Sequence, residues 1–212
     1  MTRGQAYSVK TVARWRRELR AYARPAPDGD PARSALLVVD VQRYFADVCA
    51  PIFGRIASAV EACRELGVTV IFTQHGHADP AVDGGMLGEW WGGDLIREGT
   101  DDHALLDVGA RPGDAIVAKR RYDAFFGTEL EELLSERGVS DVAFAGVMTN
   151  LCVETTARQA FVRDLRVRVL LDATATASEE LHLAALRNLA YGFAHVQTAE
   201  EWLAGLRRRA RG

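Results

Sequence analysis

The sequence predicts an α/β domain built on a mainly parallel sheet, and three observations predict it. Short apolar, β-branched runs recur at 35–41, 68–74, 114–119, 141–147 and 167–174; continuous runs of this kind mark strands buried on both faces. Segments with helical spacing separate them, and glycines such as Gly67 and Gly138 stand where those segments stop. The alternation runs through a chain of 212 residues, a length that suits a single domain.

Taken in order, residues 1–33 form a polar, Arg-rich extension, and the domain proper spans 34–212. Within the extension, Val12, Trp15, Leu19 and Tyr22 predict an amphipathic helix over 11–22, followed by the loop ARPAPDGDPAR. ALLVVDV at 35–41 is the first strand, 56–66 a helix, and VTVIFTQ at 68–74 the second strand. The next stretch holds GG, WW and GG and is too glycine-rich for regular structure over its length. DAIVAK at 114–119 is the third strand. Thr128, with Glu131 three residues on, predicts a capping box and a helix running to about residue 137. A strand over 141–147, a helix over 152–164 and a strand over 167–174 follow. A helix over 179–191, a strand over 193–198 and a final helix over 199–211 complete the chain; the closing Arg cluster suits the negative end of a helix dipole.

Composition narrows the function. A net charge of −3 gives no electrostatic case for nucleic acid. No apolar run approaches the ~20 residues that span a bilayer, and MTRGQAYSVK carries no apolar signal segment. A cytoplasmic soluble protein is expected. Cys49, Cys63 and Cys152 are too few and too scattered for a disulfide framework or a zinc knuckle.

In open parallel sheets, ligands bind beyond the carboxyl ends of the strands. That rule selects Asp40, the His75–His77 pair, Lys119, the segment MTNLC and Asp172, which ends the fifth strand. Cys152 falls at a helix start, where free N–H groups favour a thiolate and can receive an oxyanion; an inert buried cysteine reads the same way. Asp40 interrupts an apolar strand end, where a carboxylate is costly unless paired or used. Of the 26 basic residues only Lys10 and Lys119 are lysine, and a lysine beside a thiol steadies its anion, although a snorkelling surface lysine is the alternative. Asp172, on the fifth strand, is read as structural. Together the three candidates supply a proton acceptor, a charge stabiliser and a nucleophile.

The motifs ALLVVDVQRYF, VAKRRYDAFFGTEL and AFAGVMTNLCVETTARQAF give the chain a resemblance, from about residue 34 to 198, to the isochorismatase-like cysteine hydrolases. That superfamily includes nicotinamidases, N-carbamoylsarcosine amidases, ureidoacrylate amidohydrolases and isochorismatases. The resemblance implies a three-layer α/β/α, Rossmann-like fold with a six-stranded parallel sheet. It implies a catalytic set of Asp40, Lys119 and Cys152, an oxyanion hole from the N–H groups of Met148 and Cys152, and a cis peptide at Val147–Met148. It implies attack on a small amide, carbamoyl or ureide carbonyl through a thioester, with homodimers or homotetramers in which the N-terminal helix is a candidate contact. Nicotinamidases of this group carry an Asp-x-His metal pair after the second strand. Here His75 takes the place of that Asp and His77 matches its His, and spacing does not choose among Asp79, Asp83 and Asp94 as further ligands, so no cofactor is expected. Loop aromatics near the same edge, Phe45, Trp90, Trp91, Tyr122, Phe125 and Phe126, are candidates for a substrate pocket with His77 and Asn150; of the adjacent Phe125 and Phe126, at most one faces the site. Isochorismatases do not use a cysteine at the nucleophile position, so Cys152 favours amide chemistry. KRRYDAFFGTEL also resembles their corresponding segment, which keeps vinyl-ether hydrolysis as the alternative. A non-catalytic binding subunit is a third reading, opposed by the complete set of three.

Overall fold

A computed structural model describes residues 6–212. Six parallel strands form one sheet: β1 (Ser34–Val39), β2 (Thr69–His75), β3 (Ala115–Lys119), β4 (Asp141–Val147), β5 (Arg166–Ala175) and β6 (His195–Gln197). Their spatial order is β3-β2-β1-β4-β5-β6. The direction of sheet growth reverses between β1 and β4, which makes the crevice above those two strands the expected ligand site.

Alternate residues of each strand feed two separate cores. Leu37, Val39, Phe144, Val169 and Leu171 face one side, where they meet Trp15, Leu130, Ala157 and Leu186. These belong to helices α1 (Val9–Leu19), α6 (Leu130–Glu136), α7 (Glu154–Val162) and α8 (Glu179–Gly192). Leu36, Val38, Phe72, Ala143 and Ala145 face the other side, against Ile56, Trp202 and Leu206 of α3 (Phe53–Glu65) and α9 (Ala199–Ala210). Every residue of β1 and β4 is buried, and each large aliphatic side chain so placed contributes about 1.5–3 kcal/mol. At the opposite edge from the crevice, Arg168 clamps Asp141 through two bonds of 2.7 and 2.6 Å, fixing the start of β4 against β5.

The structure shifts several elements from their sequence expectation. α1 begins at Val9, earlier than expected, because Ser8 accepts from the Thr11 N–H. Thr128 does accept from the Leu130 N–H, and its own hydroxyl bonds back to Ala124 O, but Glu131 pairs with Arg163 instead of closing a capping box; the helix starts one residue late. The capping box lies at Thr198 and Glu201, ahead of α9. The glycine-rich stretch holds two short helices, α4 (Pro80–Asp83) and α5 (Gly85–Trp90), and Cys49 lies in the short helix α2 (Ala46–Cys49). No helix of the described residues is long and apolar enough to cross a membrane.

Candidate active site

Asp40 follows β1 directly, with its backbone in the left-handed region at φ 49°. A non-glycine residue held there costs of order 1–3 kcal/mol. Thr73 of β2 holds it twice: the Thr73 hydroxyl accepts from the Asp40 N–H at 3.1 Å and donates to Oδ1 at 2.6 Å. Lys119, the last residue of β3, places Nζ 2.8 Å from Asp40 Oδ2 and donates to the Arg121 carbonyl at 2.9 Å. Both side chains are buried. Burial alone would raise the Asp40 pKa, but the charge of Lys119 and the bonds from Lys119 and Thr73 outweigh it and hold the carboxyl below its usual range. Burial works against the Lys119 charge as well, yet Asp40 and Cys152 keep its pKa above the ordinary value.

Gly146 is what lets β4 carry the third residue to this pair. It stands at φ +108°, and a Cβ there would lie 2.1 Å from the Val39 carbonyl oxygen. Beyond it, Val147–Met148 is a cis peptide. A π-helical turn, Thr149–Val153, then leads into α7 and contains Cys152. The Leu151 and Val153 N–H groups both bond to the Met148 carbonyl. The Cys152 thiol lies close enough to Asp40 and Lys119 for both to act on its acidity. Burial pushes its pKa up to about 12, Lys119 pulls it down, and the Asp40 carboxylate raises it again. Burial and the adjacent carboxylate thus oppose the thiolate expected at a helix N-terminus, and Lys119 favours it.

A cavity of about 240 Å³ opens on Cys152, lined among others by Phe45, His75, Trp91, Tyr122 and Met148. It adjoins a wider groove of about 800 Å³ that includes Trp90, Phe126 and Asn150. Two of the expected pocket residues lie elsewhere. Phe125 packs in the core under the Arg163 guanidinium, 4.5 Å from its ring centre, because consecutive side chains diverge and Phe126 takes the groove. His77 is fully buried, its Nδ1 3.0 Å from Asp83. His75 reaches the cavity instead; no signal in the sequence separated it from His77. Gln42, which the sequence did not single out, fixes His75 by bonding both its N–H and its carbonyl, at 2.8 and 2.9 Å. Burial and Lys119 push the His75 pKa down to about 4, so the ring is neutral near pH 7. Asp172 accepts from the Ala199 N–H at 2.8 Å and pairs with Arg55 at 3.1 Å, a structural part.

The donor set around His75 and His77 does not fit a metal. His75 Nδ1 and His77 Nε2 are buried without partners, but Asp83 is held by His77 and Arg120, Asp79 caps α4, and Asp94 accepts from the Tyr44 hydroxyl. Among the described residues, no group of three His, Cys, Asp or Glu side chains is placed to hold an ion.

Residues 34–201 match the family model of the isochorismatase domain. The chain belongs to the isochorismatase family. This isochorismatase-family hydrolase is 46% identical over 180 residues to nicotinamidase 3 of Arabidopsis thaliana, covering 84% of this chain and 90% of that one. It is 38% identical over 199 residues to ureidoacrylate amidohydrolase RutB of Methylobacterium radiotolerans, covering 79% and 77%. Its fold is similar to the crystal structure of a cysteine hydrolase from Pseudomonas syringae pv. phaseolicola, with a TM-score of 0.82, 26% identity and coverage of 88% and 99%.

Proposed function

We propose that this hydrolase cleaves a small amide, carbamoyl or ureide substrate, with Cys152 as nucleophile. The observation that carries the reading is the buried contact of the Cys152 thiol with the Asp40–Lys119 ion pair at the floor of a cavity. Asp40 takes the thiol proton as sulfur attacks the carbonyl carbon. Lys119 holds the negative charge between oxygen and sulfur throughout, so the proton transfer does not strand an unpaired buried anion. The carbonyl oxygen becomes an oxyanion that accepts from the N–H groups of Met148 and Cys152. The C–N bond then breaks, and Asp40 returns the proton to the leaving nitrogen, which departs as ammonia or an amine. A water molecule, deprotonated by Asp40, attacks the thioester, and the thiol regains its proton as the acid or carbamate product leaves.

The cavity volume and its aromatic walls favour a compact, partly planar substrate. The named relatives act on amide-type C–N bonds and support the same chemistry here. Ammonia release is the test: nicotinamide, carbamoyl amino acids, ureides and short aliphatic amides are supplied to the wild-type protein, with Cys152→Ala as blank. Cys152-dependent ammonia from at least one class is expected. No ammonia from any class, with turnover of an enol-pyruvyl ether such as isochorismate instead, would overturn the reading.

A further inference from the structure

One buried titratable side chain outside the cavity touches the turn that carries the nucleophile. His182 of α8 is 2% exposed and has both ring nitrogens engaged. Nε2 lies 3.2 Å from the Leu171 carbonyl oxygen, and Nδ1 lies 2.9 Å from the Thr149 hydroxyl. A carbonyl only accepts, so Nε2 carries the proton and Nδ1 presents a lone pair. The Thr149 hydroxyl therefore donates to Nδ1. Thr149 is fully buried and is the first residue of the π-helical turn that contains Cys152. Against the imidazole packs Trp15 of α1, with ring centres 4.7 Å apart, and Tyr7 stands edge-on to Trp15 at the same separation. The Trp15 indole N–H donates to Glu179, in the first turn of α8, at 3.2 Å, and Arg14 pairs with the same carboxylate at 2.5 Å. The chemistry proposed above uses none of these groups.

We propose that His182 is a positioning residue for Cys152 and that α1, through Trp15, is its clamp. Trp15 and Glu179 fix where the imidazole stands, the imidazole fixes Thr149, and Thr149 fixes the angle at which the turn leaves β4. A π-helical turn is a rare, single-turn distortion that recurs at functional sites, and here a side-chain bond anchors its first residue from below. The N-terminal extension then serves the site without reaching it. The inference rests on the thiol chemistry proposed in the preceding subsection.

Thr149→Val removes the hydroxyl at nearly constant shape, and Thr149→Ser keeps it. His182→Leu removes the acceptor, and His182→Asn keeps one near the Nδ1 position. Loss of the bond is expected to lower kcat about ten-fold or more in the Val and Leu variants, since small misplacements of a reacting group are costly, while KM changes less than about two-fold. The Ser and Asn variants are expected to retain most of kcat. The Val–Leu double variant is no slower than the worse single one, because both changes remove one bond. Trp15→Leu gives a smaller loss that vanishes in the Thr149→Val background. The rate of Cys152 alkylation by iodoacetamide, followed by peptide mass, reads the same geometry without any substrate and falls in the same variants. If the wild-type protein turns over no amide while alkylation slows as described, the proposed function fails and the positioning role stands. Wild-type kcat and alkylation in Thr149→Val and His182→Leu, or additive losses in the double variant, would overturn the inference. Should His182→Leu lose its fold by circular dichroism, the Thr149→Val and Thr149→Ser pair decides alone.

Discussion

Cys49, Cys63 and Cys152 all have thiols pushed up to about 12, and burial is the first cause in each. Acidity therefore does not single out Cys152 as the proposed nucleophile; its neighbours do. Of the three, only Cys152 is acted on by both an ammonium and a carboxylate and also faces a cavity. Cys152→Ala is expected to abolish turnover, and Cys152→Ser to lose at least about 1,000-fold, because a hydroxyl is far less ionised and less nucleophilic than a thiol at the same site; steady-state ammonia release measures both. Lys119→Arg should lose at least about 100-fold, since a fully buried Nζ already fitted between Asp40 and the Arg121 carbonyl leaves no room for a planar guanidinium; wild-type rates would remove Lys119 from the mechanism. The pH profile follows from the same shifts. Asp40 must be ionised to take the proton, its pKa lies below the usual carboxylate range, and the thiol and Lys119 titrate far above neutrality. kcat/KM is then flat from about pH 6 to about pH 9, whereas a preformed thiolate paired with a histidine would titrate inside that window. The three residues proposed to react were selectable in the sequence because each breaks an apolar strand end or its following turn. Phe125 and His77 were misplaced because adjacent or alternate residues in a loop carry no period that tells inward from outward.

At the scale of elements, the site depends on how closely β1 and β4 approach. Gly146→Ala puts a Cβ 2.1 Å from the Val39 carbonyl oxygen and asks an L-residue to hold φ +108°. A loss of about 3 kcal/mol or more is expected, read as a lower denaturant midpoint; an unchanged midpoint would show that the β1–β4 contact does not need glycine. The strands themselves were readable, since buried parallel strands leave continuous apolar runs. Helix starts were less so. Thr128 looks like half of a capping box by spacing and does accept from the Leu130 N–H, yet Glu131 is drawn to Arg163 instead of closing the box, a competition visible only in three dimensions. The short helices α4 and α5 escaped notice because Gly84, Gly85 and Gly88 lower helix propensity there, and tertiary contacts around the cavity hold them in place.

For the whole molecule, acid stability and association both follow from burial. His75 and His182 have folded-state pKa values pushed down to about 4, first by burial, from an ordinary value of 6.5. The unfolded chain binds more protons between those limits. Each ring thus contributes stability that is complete above pH 6.5 and is lost as pH falls toward 4, about 3 kcal/mol per ring. The melting temperature should drop steeply over that interval, and a flat curve would refute the neutral buried imidazoles. Around the cavity mouth, Met86, Trp90 and Phe126 are 67%, 76% and 66% exposed, an apolar rim of the kind that marks an interaction surface. We expect light scattering to find a dimer or larger species of this chain, and Trp90→Glu to shift it toward monomer. A monomer at all concentrations would contradict that expectation. Nothing in the sequence distinguished this rim from a buried pocket wall, since an apolar side chain serves either.

The covalent step is the most exposed part of the account. With whichever amide releases ammonia, rapid acid quenching during turnover, followed by peptide mass spectrometry, should find the acyl group of the substrate on Cys152 as a thioester, with nitrogen already lost, and on neither Cys49 nor Cys63. Sustained turnover with no adduct on Cys152 at any quench time, together with an active Cys152→Ala protein, would contradict it.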